Sequence, residues 1–410
     1  MSETFRPSDA DQVLETVAWA VAEEQPLEIR GAGSKQNLGR PMADCRVLDL
    51  SALTGLTYYE PGELVLAAWA GTPLSVIEAE LSENGQRLAF EPADYGRILG
   101  NVAGQATIGG LVACNISGPR RVQVGAARDH CLGVSGVSGR GEAFKSGGRV
   151  IKNVTGYDLS KLMTGSYGTL AALTEVTFKV LPVPEKTRTV LIFGHGEAEG
   201  IAVLSQASAS ALEPSGLAHL PAVAAARSSV GYVAKAGASV TAIRVEGPGP
   251  SVEARCRSLR GLFGGTGRTE ELHGHNSGTL WREIADVTLL GSSDGSLWRL
   301  SVPPSTASGV VSAVEAQLPL SCRVEVLFDW AGGLIWLDVT GAENAAHDVI
   351  RGVIRDEGGH ATLIRASVDV RRAVPVFQPP EPGLAALNAR VKQGFDPRGI
   401  FNPGRMSTDY

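Results

Sequence analysis

The residues of this chain best suited to chemistry are backbone groups made accessible by glycine. Between Gly100 and Leu170, fifteen glycines alternate with short apolar runs and polar motifs. One stretch reads Thr107-Ile108-Gly109-Gly110, followed by Asn115-Ile116-Ser117-Gly118-Pro119-Arg120-Arg121. A second reads Lys152-Asn153-Val154-Thr155-Gly156-Tyr157-Asp158, and a third Gly165-Ser166-Tyr167-Gly168-Thr169-Leu170. Glycine lets the chain turn through positive φ and brings N–H groups close to a phosphate or a ring edge. That pattern is what a backbone needs to wrap around a large flat cofactor. Upstream, Gly31-Ala32-Gly33-Ser34-Lys35-Gln36-Asn37 follows the short strand Leu27–Arg30. A dinucleotide fold of the Rossmann kind would need a third glycine where Gln36 stands and a helix at once afterwards; Pro41 follows instead.

The elements that must position these loops follow from periodicity. Ser8 to Glu24 reads as a helix capped by Ser8, with Val13, Leu14, Val17, Ala18 and Val21 on one face. Val47–Leu50 and Glu63–Ala70 read as strands. Thr72-Pro73 starts a helix that ends at Gly85, with Leu74, Ile77 and Leu81 as its buried stripe. Leu170–Val180 is a strand, and Pro182-Val183-Pro184 reads as an exit from a first domain. From Leu297 the order is strand, helix (Ser305–Gln317), strand (Arg323–Phe328), strand (Leu334–Val339), helix (Glu343–Arg355), strand (Ala361–Ile364). That is the βαββαβ unit of ferredoxin-like folds. Thr189–Leu272 reads as a degenerate earlier copy, with helices near Ala198–Ser208 and Ser251–Leu262. Together they predict one antiparallel sheet with helices on one face, acting as a cap. The expected fold is α+β: residues 1–185 a cofactor domain, 186–375 the cap, and 376–410 a segment returning to the first domain.

Composition excludes several functions. A net charge of −6 and a pI near 5.7 argue against a general nucleic-acid surface. No apolar run approaches a membrane span and no secretory signal is visible, so the expected compartment is the cytoplasm. Cys45, Cys114, Cys131, Cys256 and Cys322 form no C-x-x-C pair, so the chain carries no iron–sulfur ligand set of its own. His273-Gly274-His275 is a weak metal signal, and no metal site is expected.

The glycine motifs together resemble the FAD-binding domain of the vanillyl-alcohol oxidase (PCMH-type) flavoproteins, closely over Arg30 to Val180 and again at Asn402-Pro403-Gly404-Arg405. The resemblance implies a two-subdomain PCMH-type domain with FAD as cofactor. Gly31 to Asn37 would hold the pyrophosphate through backbone N–H groups, with Ser34 and Asn37 adding hydrogen bonds and Arg30, Ala32, Lys35, Leu38 and Pro92 completing the surroundings. Thr107, Gly109 and Gly110 would form a second wall, followed by Asn115, Ser117 and Gly118 toward the flavin. Gly165, Gly168 and Thr169 resemble a family G-S-x-G-T-L turn, with Tyr167 where glutamate is common. Glu175 and Val176 would face the adenine side, and Asn402 would close over the flavin side. Ser34 stands where some members carry an attachment histidine, which implies dissociable FAD.

The motifs Gly118–His130 and Gly147–Asp158 narrow the resemblance to the second flavin-domain subunits of glycolate oxidase (glycolate dehydrogenase) complexes. The implied partners are a larger PCMH-type flavoprotein subunit (D) and an iron–sulfur subunit (F), with a small 2-hydroxy acid as substrate. Attachment to the inner face of a membrane would come only through such partners. The resemblance leaves two alternatives open: a stand-alone FAD-dependent 2-hydroxy-acid (D-lactate-like) dehydrogenase, and a non-catalytic scaffold subunit. The histidine-based metal site of the larger relatives has no counterpart at His347 or His360. For catalysis, Lys152 and Tyr157 are the residues to place nearest the ring, with Arg120, Arg121 and Arg128 as anion anchors.

Overall fold

Helices and strands form here where apolar residues recur at the right period, and a few short-range signals decide their ends. A computed structural model describes residues 3–150, 156–291 and 294–408. The first helix runs Ala10–Ala22 and buries Val13, Val17 and Ala20 completely. Its cap is Asp9, whose carboxylate accepts from Gln12 N at 2.8 Å. Ser8, expected in that role, lies one residue too early and instead donates to the Gln12 side chain. The strand expected from Glu63 begins at Val65, because Pro61–Glu63 makes a 3-10 turn that ends in left-handed Leu64 (φ 57°). Pro73 precedes rather than opens the helix Leu74–Glu83, which buries Leu74, Ile77 and Leu81.

The chain divides into two compact units. The first comprises Met1–Ile116, Gly125–Val183 and Pro379–Tyr410. It holds a parallel three-stranded sheet in the order Thr4–Phe5, Arg46–Asp49, Leu27–Arg30. Phe401 bridges Leu27 in parallel. A separate five-stranded antiparallel sheet runs Leu56–Glu60, Val65–Trp69, Ala171–Lys179, Cys131–Ser138, Ala143–Gly147.

The second unit comprises Ser117–Val124 and Pro184–Gln378. Its single antiparallel sheet of eight strands has the order Thr269–His273, Lys186–Phe193, Val240–Gly247, Gly216–Leu220, Arg323–Asp329, Leu334–Thr340, Ser296–Ser301, His360–Arg365. Each half is a βαββαβ unit with its fourth strand outermost, and the halves join where His219 pairs with Phe328. The first half is a full copy rather than a degenerate one. Four helices, Glu197–Ser208, Gly249–Phe263, Ala307–Gln317 and His347–Glu357, cover one face. Their Ile201, Leu204, Val252, Leu259, Val310 and Ile350 pack on Val190, Ile243, Trp298 and Leu337.

One expectation needs correction: helices are not confined to that face. The helix Gly274–Ala285, unforeseen in the sequence, packs on Thr189, which alternates with core-facing Val190. Trp281 Nε1 donates to Thr189 Oγ1 at 2.8 Å, and Ser277 Oγ lies 2.7 Å from the same oxygen. The helix also buries Leu280, Trp281, Ile284 and Ala285, an apolar stripe at helical spacing, so its period was present in the sequence. A second correction is that Ser117–Val124 belongs to this unit and not to the first. Arg120 forms a buried ion pair with Glu246, Trp330 Nε1 donates to Gly118 O at 3.1 Å, and the Arg121 guanidinium stacks 4.4 Å from the Trp330 ring centre. Among the described residues no helix is long and apolar enough to cross a membrane.

His219 gives this unit a pH signature. It is buried beside Thr241 Oγ1 (2.9 Å), and burial, aided by His195, pushes its pKa down to about 4. A histidine that stays neutral when folded supports the fold above its unfolded pKa near 6.5, and that support is lost as pH falls toward 4. Glu197 and Asp338, raised by burial to about 7 and about 6, act in the opposite sense between pH 4 and 7. The informative quantity is therefore the difference between the parent chain and His219→Gln. In urea titrations the parent should lose roughly 3 kcal/mol more than the variant between pH 7 and pH 4. Parallel pH profiles would show that His219 does not titrate as its burial requires.

Candidate functional site

Three chain segments meet at one cavity in the first unit, of about 770 Å³ and open to solvent. The strand Leu27–Arg30 delivers Gly31–Gln36 to its wall. Gly33 takes φ 76°, where a side chain would be strained. A Cβ on Gly31 would stand 2.4 Å from Thr107 Oγ1, so this loop and the 107–110 turn touch only because Gly31 has none. Thr107 caps the helix Ile108–Cys114 by accepting from Gly110 N, and a Cβ on Gly109 would meet Ala70 at 2.7 Å.

The third segment is the turn Ser166–Gly168, in which Tyr167 and Gly168 both have positive φ (54° and 68°). Tyr167 N donates to Ala113 O at 2.8 Å, which seats the turn on the end of the 108–114 helix. Asn402 then ties turn to strand. Its Oδ1 accepts from Ile29 N at 2.8 Å, while its Nδ2 donates to Tyr167 O at 2.7 Å. Behind it, Lys392 Nζ donates to Thr169 O (2.7 Å), Phe401 O (3.1 Å) and Asp396 Oδ2 (2.7 Å). Asp396 in turn accepts from Ile400 N and Phe401 N.

The electrostatics of the cavity are unusual. Lys35 and Arg405 are only 8 % and 7 % exposed. Lys35 Nζ donates to Ser34 Oγ at 3.2 Å, and Arg405 Nη2 donates to Lys35 O at 2.9 Å. Burial lowers the pKa of both, and it raises that of the Cys114 thiol on the same wall.

Of the residues named from the sequence, Arg30, Gly31, Ala32, Gly33, Ser34, Lys35, Thr107, Gly109, Gly110, Gly168 and Asn402 line this cavity. Others do not reach its wall. Asn37 Nδ2 donates to Leu99 O, and Leu38 is in the core. Asn115 ends the helix in a left-handed conformation and accepts from Arg128 N. Thr169 bonds within its own turn, Glu175 accepts from Thr57 and Ser135, and Val176 is fully buried in its strand. Pro92 and Gly165 also lie off the lining, and Ser117 and Gly118 belong to the second unit. Lys152 lies outside the described residues. Tyr157 is 92 % exposed, on the loop before Asp158, which caps the helix Leu159–Met163. Arg120 is committed to Glu246 and is no free anion anchor.

Sequence reasoning missed Arg405, Cys114, Leu50, Ala70 and Leu173 on the lining. Arg405 was within reach, since it completes the Asn402-Pro403-Gly404 motif. The apolar wall residues sit on strand ends with no local signal. Among the described residues no group of three or more His, Cys, Asp or Glu could hold a metal ion.

Comparison with known proteins identifies the architecture. Residues 2–147 match the family described as "FAD binding domain". The chain is 37% identical over 407 residues to the glycolate oxidase subunit GlcE of Escherichia coli (strain K12), covering 98% of this chain and 99% of that protein. It is 27% identical over 335 residues to the glycolate oxidase subunit GlcD of Bacillus subtilis (strain 168), covering 73% and 68% of the two chains. Among solved structures it resembles p-cresol methylhydroxylase with TM-score 0.74 at 14% identity, over 99% of this chain and 89% of that one. The chain belongs to the PCMH-type FAD-binding oxidoreductase family that includes GlcE, and it binds FAD. The cavity fits a dinucleotide: Gly31, Gly109 and Gly168 let its wall segments approach one another closely, and two buried cations line it.

The Lys392–Asp396 pair, 5 % and 0 % exposed, holds two of the three cavity segments. Lys392→Met would leave a buried carboxylate without its cation, a change that costs about 3–5 kcal/mol. Urea unfolding should show that loss, together with reduced flavin content. Unchanged stability would mean that the clamp is dispensable.

Proposed function

We propose that this chain is the second flavin subunit of a complex that oxidises glycolate to glyoxylate, working with a larger PCMH-type flavoprotein and an iron–sulfur protein. The observation that carries the reading is its end-to-end relation to GlcE, 37% identical over 98% of one chain and 99% of the other. A relation confined to the FAD domain would support only a flavoprotein of unspecified task.

Bound FAD supplies a two-electron acceptor for alcohol oxidation. The chain's own residues do the holding. Gly31 to Lys35 and the 107–110 turn offer N–H groups and small side chains to the phosphates and the adjoining sugars. Asn402 fixes the spacing between strand and turn. Ser34 has no imidazole for a histidyl bond, so we assign the cofactor as non-covalent. Cys45, Cys131 and Cys256 are buried and all five thiols are free, so the electrons leave by a centre on another protein. We place the complex in the cytoplasm.

Two measurements test this. Heat or acid precipitation of the purified chain should release all its yellow colour into the supernatant; flavin retained in the pellet would overturn non-covalent binding. An affinity-tagged copy should co-purify with two proteins, one of them brown with iron, and glycolate oxidation should need all three. If the isolated chain reduces its own flavin with glycolate at the rate of cell extracts, the subunit reading falls to a stand-alone dehydrogenase.

A further inference from the structure

Among the described residues the cavity lining carries more positive than negative charge. Its charged lining residues are Glu28, Arg30, Lys35 and Arg405. Glu28 and Arg30 form an ion pair at 2.7 Å, although Arg30 Nε is left without a partner. That leaves Lys35 and Arg405, and among the described residues neither has a carboxylate at ion-pair distance. Lys35 spends one of its three protons on Ser34 Oγ. Arg405 uses Nη2 on the Lys35 and Gln36 carbonyls and Nη1 on Met42 Sδ at 3.8 Å. A Cβ on Gly110 would stand 3.7 Å from Lys35 Nζ, so the ammonium lies over the glycine turn and not in solvent.

Two buried cations without counter-charges are expensive in an empty protein. They become favourable when an anion of two charges enters, and the pyrophosphate of a dinucleotide carries two. Arg405 lies against the backbone of Lys35 itself, so both cations belong to one patch of wall. Riboflavin and adenosine offer no such charge.

We propose that Lys35 and Arg405 form the anion-binding pair of this cavity, and that Lys35 makes the chain selective for a pyrophosphate-bearing nucleotide over a ligand without phosphate. The proposal rests on the FAD reading and adds to it the residues that read the phosphates by charge. Burial disfavours the charged form of Lys35 and outweighs the opposing influence of Cys114 and Asp94, which is the state expected of a cation awaiting its partner.

The pair has an opposite effect on the empty and the loaded chain, and this distinguishes it from a structural lysine. The full-length chain, stripped of flavin, is titrated with FAD, FMN, riboflavin, ADP and adenosine by fluorescence and competition, and its Tm is measured without ligand. The parent should bind ADP at least tenfold tighter than adenosine. Lys35→Met should bind FAD and ADP at least tenfold more weakly, leave adenosine and riboflavin within twofold, and melt higher than the empty parent. Lys35→Arg should keep most of the ADP preference. The proposal is overturned if Lys35→Met binds FAD as the parent does, if ADP and adenosine weaken equally, or if the empty variant melts lower. If the parent itself takes up no flavin, the FAD reading fails first and the proposal with it.

Discussion

The structure of the first unit depends on one constraint: backbone groups from distant parts of the chain must be held in register around a cavity that their own side chains do not fill. Glycine makes the close approach feasible but cannot fix it. Asn402 supplies the fixing, since one carboxamide accepts from Ile29 N and donates to Tyr167 O. An amide side chain can do both at once, whereas a carboxylate could only accept and an aliphatic residue could do neither. Its own φ of 41° and the parallel bridge of Phe401 to Leu27 place it there. The Lys392–Asp396 pair holds the same corner from behind. A change at Asn402 or Arg405 is therefore a change to the cavity wall, although nearly four hundred residues separate it from the first loop.

Periodicity made most of the fold legible. The C-terminal βαββαβ order emerged with boundaries within a few residues, because alternating apolar strands and amphipathic helices are local signals. What escaped was set by tertiary contact. Gly274–Ala285 carries Leu280, Trp281 and Ile284 at helical spacing, but its seat on the sheet, where Ser277 and Trp281 meet Thr189, is a tertiary contact. Ser8 lost the cap to Asp9 by one residue. In the cavity the glycines and Asn402 were readable because each is demanded by backbone geometry. Leu50, Ala70 and Leu173 were not, since any small or apolar residue satisfies a strand end.

The fate of the Gly118-Pro119-Arg120-Arg121 motif shows how charge in a sequence misleads without burial. Read from the sequence, its arginines look available to an anion. In the structure Arg120 is buried against Glu246 and Arg121 stacks on Trp330, so the motif is a structural strap of the second unit. Lys35, expected from the sequence among the surroundings of the pyrophosphate, is buried with no carboxylate at ion-pair distance among the described residues. A basic residue marks an anion site when the fold denies it a counter-charge, and sequence shows the base but not the denial.

That distinction also bears on how the two units use their polar groups. Among the described residues the cavity, its two cations and its backbone donors are complete within one unit, and no cluster of thiols or histidines in either unit could hold a metal centre. The second unit spends its polar residues on its own architecture: Arg120 on Glu246, Trp281 on Thr189, Arg351 on the carbonyls of Ala361 and Val376. The first unit is therefore built around its cavity, and the second around the packing of its own sheet and helices.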